Sequence, residues 1–101
     1  MAIVEVSCVP LGTKTPSVSQ YVARAVKVLE DEKCIKYEMT AMGTIVEGDL
    51  DRILAVVRKM HEETFGEGVS RVVTTIKIDD RRDKAQSMKG KVDSIKKKLY
   101  G

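Results

Sequence analysis

Apolar and polar residues alternate over Ala2 to Val9. Val4, Val6 and Cys8 fall on one side and Ile3, Glu5, Ser7 and Val9 on the other, the pattern of a strand with one face buried. Pro10, Gly12 and Pro16 mark a loop. The period then becomes helical: Val18, Tyr21, Val22, Ala25, Val26 and Leu29 form one stripe, with Ser17 and Gln20 spaced as a capping box. The charged run Glu30-Asp31-Glu32-Lys33 ends this helix in solvent. Cys34 to Thr40 and Gly43 to Glu47 read as a hairpin, whose turn Ala41-Met42-Gly43 would use Gly43 for a positive φ. Gly48 stops the second strand, and Asp49 caps a helix over about Leu50 to Thr64. That helix should bury Leu50, Ile53, Leu54, Val57 and Met60, with Phe65 and Gly66 closing it. A fourth strand, Ser70 to Ile78, turns Val72, Thr74, Ile76 and Ile78 one way and Arg71, Val73, Thr75 and Lys77 the other. A last helix begins near Ser87, with a narrow stripe of Met88, Val92, Ile95 and Leu99 among lysines.

The order is βαββαβ plus a terminal helix. Right-handed helical crossovers between antiparallel hairpins give an α+β sandwich, a four-stranded antiparallel sheet with two helices on one face. The other face mixes Ile3, Val9 and Val73 with Glu5, Ser7, Arg71, Thr75 and Lys77. A half-apolar open face on a small domain asks for cover. Oligomerisation through that face is expected, and the stripe of the helix over residues 87–99 suits a contact between subunits better than a core.

At 101 residues the chain has the size of one domain, spanning 1–101. No apolar run approaches the ~20 residues of a membrane span, and the first residues lack a basic n-region and cleavage site; the cytoplasm is the expected location. Residues 1–80 carry 10 Lys/Arg against 13 Asp/Glu, whereas residues 81–101 carry 8 against 2. The body is therefore mildly acidic and the tail basic.

Catalytic patterns are missing. His61 lies in HEET, without the second histidine of HExxH, and reads as a surface residue. The serines lack a His/acid partner pattern, Cys8 lacks an activating base nearby, and phosphate-cradling glycine motifs are absent. Cys8 and Cys34, without CxxC spacing and with a single histidine, read as buried or half-buried thiols rather than zinc ligands. Asp79-Asp80 followed by Arg81-Arg82 reads as a local salt-bridge network rather than a metal loop. Lys96-Lys97-Lys98 could meet phosphates, but nucleic-acid binding on such a sheet stacks bases on strand aromatics, and only Tyr37 is placed in a strand. A solvated helix face is the better reading of the lysines. No enzyme activity, metal or cofactor is expected.

Certain motifs carry a resemblance that covers nearly the whole chain. They are Pro10, Gly12 and Thr13 after the first strand, Tyr37 in the second, the hairpin Met42-Gly43-Thr44 with Glu47-Gly48, and Ile76 to Arg82. In these the chain resembles the thiamine-binding, YkoF-like family of small ferredoxin-like proteins, many of unknown function. It departs from the family pattern at Thr40-Ala41, where relatives often have Thr-Pro. The resemblance implies a ferredoxin-like fold, a homodimer or homotetramer, and binding of thiamine or its hydroxymethylpyrimidine part. Such a ligand needs donors and acceptors for the pyrimidine edge, a carboxylate for the cation and an apolar wall. Glu5, Ser7, Thr13, Ser19, Tyr37, Thr40, Thr44 and Glu47 are the residues that could supply them. The alternative is a structural or regulatory oligomerisation module without a small ligand.

Overall fold

The computed structural model describes residues 1–14, 19–66 and 68–101. Pro16, Ser17 and Val18, and with them the expected capping box, lie outside the described residues. The chain runs β1 (Ala2–Leu11), α1 (Ser19–Glu30), β2 (Lys36–Thr40), β3 (Gly43–Gly48), α2 (Leu50–Thr64), β4 (Arg71–Asp80) and α3 (Met88–Tyr100). The strands form one antiparallel sheet in the order β2-β3-β1-β4, the ferredoxin-like arrangement, with α1 and α2 side by side on one face.

Alternation along β1 decides what is inside. Val4, Val6 and Cys8 face the helices and are buried, together with Val46 of β3. From the helix side Ala25, Val26 and Leu29 of α1 and Ile53, Val56, Val57 and Met60 of α2 close the core. Leu54, expected inside, is 40% exposed, and Val56 is buried in its place. Neighbouring positions on a helix point about 100° apart, and α2 is rotated so that 53, 56, 57 and 60 meet the sheet.

The expected cap at Asp49 forms, its carboxylate accepting from the Arg52 N–H at 3.4 Å, and the structure adds a cap at Ser87, whose hydroxyl accepts from the Gly90 N–H at 2.9 Å. His61 is half-buried rather than fully on the exposed arc. The last turns of α2 pass over β4, so its Nδ1 lies 2.6 Å from the Thr74 hydroxyl and its ring stands edge-on to Phe65. Gly43 does not adopt a positive φ. A Cβ there would stand 3.0 Å from the Val6 carbonyl oxygen, a tight contact that favours glycine. Thr40 closes the turn instead, its hydroxyl donating to the Gly43 carbonyl at 2.8 Å and accepting from the Met42 N–H at 3.3 Å.

On β4 the expected faces hold in register, with Ile76 opposite Val6 and Ile78 opposite Val4. Their burial does not follow: Ile76 is 41% and Ile78 45% exposed, whereas α2 meets β4 at Thr74, through His61 in its last turns. Cys8 is buried, whereas Cys34, in the connection before β2, is exposed.

α3 projects from one corner of the open face, and none of its residues is buried. Three contacts tie its start to the sheet. The Met88 N–H donates to Glu47 Oε1 at 2.7 Å, Lys91 pairs with Asp79, and the Gln86 amide donates to the Asp79 carbonyl at 3.0 Å. The acidic-basic run after β4 forms the local network that its sequence suggested, Arg82 with Asp80 and Arg81 with Asp83.

Candidate ligand groove

The two strand ladders on β1 have unequal lengths. Pairing with β4 continues to Leu11 opposite Arg71, but pairing with β3 stops at Val6 opposite Thr44. The hairpin ends there because its turn follows at Ala41-Met42. Beyond Val6, the β3-side edge of β1 therefore runs past the hairpin tip without a ladder partner from β3. Between this edge, the tip and the first half of α1 lies a groove of about 400 Å³.

Its lining shows how it is built. Ser7, Cys8 and Val9 all contribute, and consecutive strand residues point to opposite faces. Three in a row can line one groove only along the strand's edge, where backbone N–H and C=O groups alternate. Val22, Ala25 and Val26 of α1 form the opposite wall, and Met60 of α2 contributes from beneath. Met39, Met42 and Thr44 come from the hairpin. Met39 is 66% and Met42 84% exposed, so flexible thioethers stand at the rim. The exposure of Val22, an apolar residue of the α1 stripe, has the same cause: it faces the groove rather than the core. Among the described residues, no Asp, Glu, Lys or Arg lines the groove.

Of the eight residues singled out by sequence, the groove brings together Ser7, Thr40 and Thr44. Thr44 is buried. Thr40 is committed through its hydroxyl to the turn. Tyr37 faces the helices farther down the hairpin, half-buried against the core. Thr13 and Ser19 flank the connection from β1 to α1, outside the lining. Glu5 and Glu47 stand on the other face of the sheet, since they alternate with Val4, Val6 and Val46. Glu5 lies opposite Lys77, and Glu47, only 4% exposed, accepts from the start of α3. The methionines and the β1 edge were not singled out, because Met39 and Met42 read as ordinary hairpin residues until the ladders are known to end unequally.

Other depressions among the described residues lie elsewhere on the surface. One, of about 560 Å³, runs along the start of α3 past Arg81, Lys84, Gln86 and Lys91; another is formed by Gln20, Tyr21, Arg24, Glu63 and Gly66. In the first, Arg81 and Lys91 are already paired with Asp83 and Asp79. Among the described residues, no group of three or more His, Cys, Asp or Glu is placed to hold a metal ion, and no helix is long and apolar enough to cross a membrane.

Similar proteins cover nearly all of the chain. The UPF0045 protein YqgV of Bacillus subtilis is 48% identical over 98% of each sequence. A UPF0045 protein of Methanothermobacter thermautotrophicus is 43% identical, covering 98% of this chain and all of the relative. The crystal structure of protein MJ1052 from Methanocaldococcus jannaschii superposes with a TM-score of 0.86 at 42% identity, over 94% of this chain and 95% of that one. A Thermotoga maritima protein, whose given name provisionally places it in thiamine biosynthesis or salvage, shares the fold at 21% identity (TM-score 0.76, 93% and 97% covered). Residues 4–96 match the family described as thiamine-binding protein, and the chain belongs to that family.

Proposed function

We propose that this protein binds thiamine or its hydroxymethylpyrimidine part without catalysing a reaction, and that the ligand lies in the groove between β1, α1 and the hairpin tip. Family membership over residues 4–96 supports the ligand class. The observation that carries the location is the stretch of β1 beyond the end of the β3 ladder, which lines an apolar groove. An aminopyrimidine presents an amino donor next to a ring-nitrogen acceptor, and a strand edge offers backbone C=O and N–H groups to match. Thioethers of Met39, Met42 and Met60 line the groove, and sulfur against an aromatic ring contributes about 0.3–1.5 kcal/mol per contact. The Thr44 hydroxyl adds a polar group on the hairpin side.

The uncharged lining among the described residues supports one orientation. A thiazolium cation in a groove without a carboxylate would lose hydration with no opposite charge in return. The neutral pyrimidine therefore enters and the cationic ring points to solvent. The protein works as an oligomer in the cytoplasm, its open sheet face covered by another subunit.

Native mass spectrometry with thiamine and with hydroxymethylpyrimidine tests this reading. A fixed number of either ligand per subunit is expected, lost in a Thr44→Val, Met39→Ala double variant. A clean protein that takes up neither compound, with no ligand-dependent rise in melting temperature, would overturn the reading in favour of an oligomerisation module.

A further inference from the structure

Sulfur is concentrated in one place. Met39, Met42 and Met60, three of the five methionines of the chain, line the groove together with Cys8, one of its two cysteines. They come from β2, the hairpin turn, α2 and β1 respectively. Core packing accounts for only half of this set. Cys8 and Met60 are buried, but Met39 and Met42 stand mostly in solvent, where burial gives no reason for two large thioethers beside a sunken thiol.

The strand register brings these sulfurs to one side of the sheet. Opposed residues share a face, so Met39, opposite Thr44, lies on the side of Val6, which also stands opposite Thr44. Cys8, two residues beyond Val6, faces the same way. Counted on from Val6 opposite Thr44, the same register sets Cys8 level with Met42 in the turn. We propose that the groove binds a soft monovalent metal ion of the copper(I) class. The Cys8 thiolate and the thioethers of Met39 and Met42 are its ligands, and Met60 closes the site from α2.

Softness and charge select the ion. Thiolate and thioether donors favour copper(I), whereas magnesium and calcium take oxygen ligands. Zinc also accepts thiolate, and there charge decides. The Cys8 thiol releases its proton to solvent as the sulfur–metal bond forms, and the thiolate cancels the single positive charge of the ion. No electron is transferred. A zinc ion would keep one positive charge uncompensated, since among the described residues no carboxylate lines the groove. The site shares its groove with the proposed pyrimidine but does not rest on that reading, and the ion is tested with no pyrimidine present.

The test uses the full chain carrying Cys34→Ser, which removes the exposed thiol. Native mass spectrometry with silver(I), a soft ion that resists oxidation, should show one ion per subunit with the loss of one proton. Cys8→Ser in that background should abolish uptake. Outer-shell partners alone are worth about 10–100-fold in metal affinity, so the pair Met39→Leu, Met42→Leu should weaken silver(I) by as much or more. Leu for Met conserves volume, so this pair keeps the fold even if Cys8→Ser does not. X-ray absorption of the copper(I) form should find sulfur alone around the metal, and more of it than one thiolate supplies. A Cys34→Ser protein that takes up no silver(I) would overturn the proposal. So would a methionine pair variant with unchanged affinity, which reduces the site to a lone thiol. Zinc(II) displacing copper(I) at equal concentration would overturn the charge argument.

Discussion

Glu47 is the residue whose replacement tests the structure most directly. Its carboxylate is buried on β3, and Oε1 accepts the Met88 N–H at 2.7 Å. Met88 is the first residue of α3, so this N–H is one of the four that a helix start leaves without an internal partner. A hydrogen bond to a charged group contributes about 1.5–3 kcal/mol. α3 has 13 residues, too short to be stable in water without tertiary contacts, and its other ties to the sheet are the Lys91 and Gln86 contacts with Asp79. Glu47→Ala should therefore raise the population with α3 undocked by roughly 10- to 150-fold, at about 1.4 kcal/mol per tenfold. Glu47→Gln keeps a neutral acceptor, worth about 0.5–1.5 kcal/mol, and should lie between. Amide hydrogen exchange reads this residue by residue: protection should fall across α3 while amides in the middle of β1 keep theirs. Unchanged exchange in α3 after Glu47→Ala would refute the reasoning, as would a Gln variant that loses as much as the Ala variant.

Three other outcomes follow from named contacts. Thr44→Val keeps the shape of a groove residue and removes its hydroxyl, so ligand affinity should fall by about the ~0.5–1.5 kcal/mol of one hydrogen bond. Titration calorimetry should show this while the fold is retained, whereas Glu47→Ala, on the opposite face, should leave affinity within twofold. Gly43→Ala places a Cβ 3.0 Å from the Val6 carbonyl oxygen, a backbone atom that cannot swing away; about 1–3 kcal/mol should be lost in urea unfolding, as for other overpacked sites. Asp79 has its pKa lowered chiefly by its hydrogen bond to Lys91, and Asp83 likewise by Arg81. A lowered carboxyl pKa contributes stability that is fully present above the unfolded value near 4 and is lost as pH falls through the lower folded value. Exchange protection at the start of α3 should therefore decline below about pH 4 and stay level from pH 5 to 8, which a pH series of exchange rates will check.

Much of the fold is legible in local pattern because local pattern is its cause. Alternation through Val4, Val6 and Cys8 selects the buried face of β1, and helical spacing places Ala25, Val26 and Leu29 toward it. Asp49 and Ser87 cap their helices through bonds that span three residues. The motifs shared with the thiamine-binding family add the order in which these elements assemble. Other features depend on separations that no window along the chain contains. Glu47 accepts from Met88, 41 positions later, and His61 is half-buried where its ring meets Thr74 of β4. Gly43 is favoured by the nearby oxygen of Val6 on a neighbouring strand rather than by a positive φ in its turn. The groove exists because two ladders on β1 end at different residues. Periodicity determined which way each side chain points; only the packing of the elements decided what it meets there.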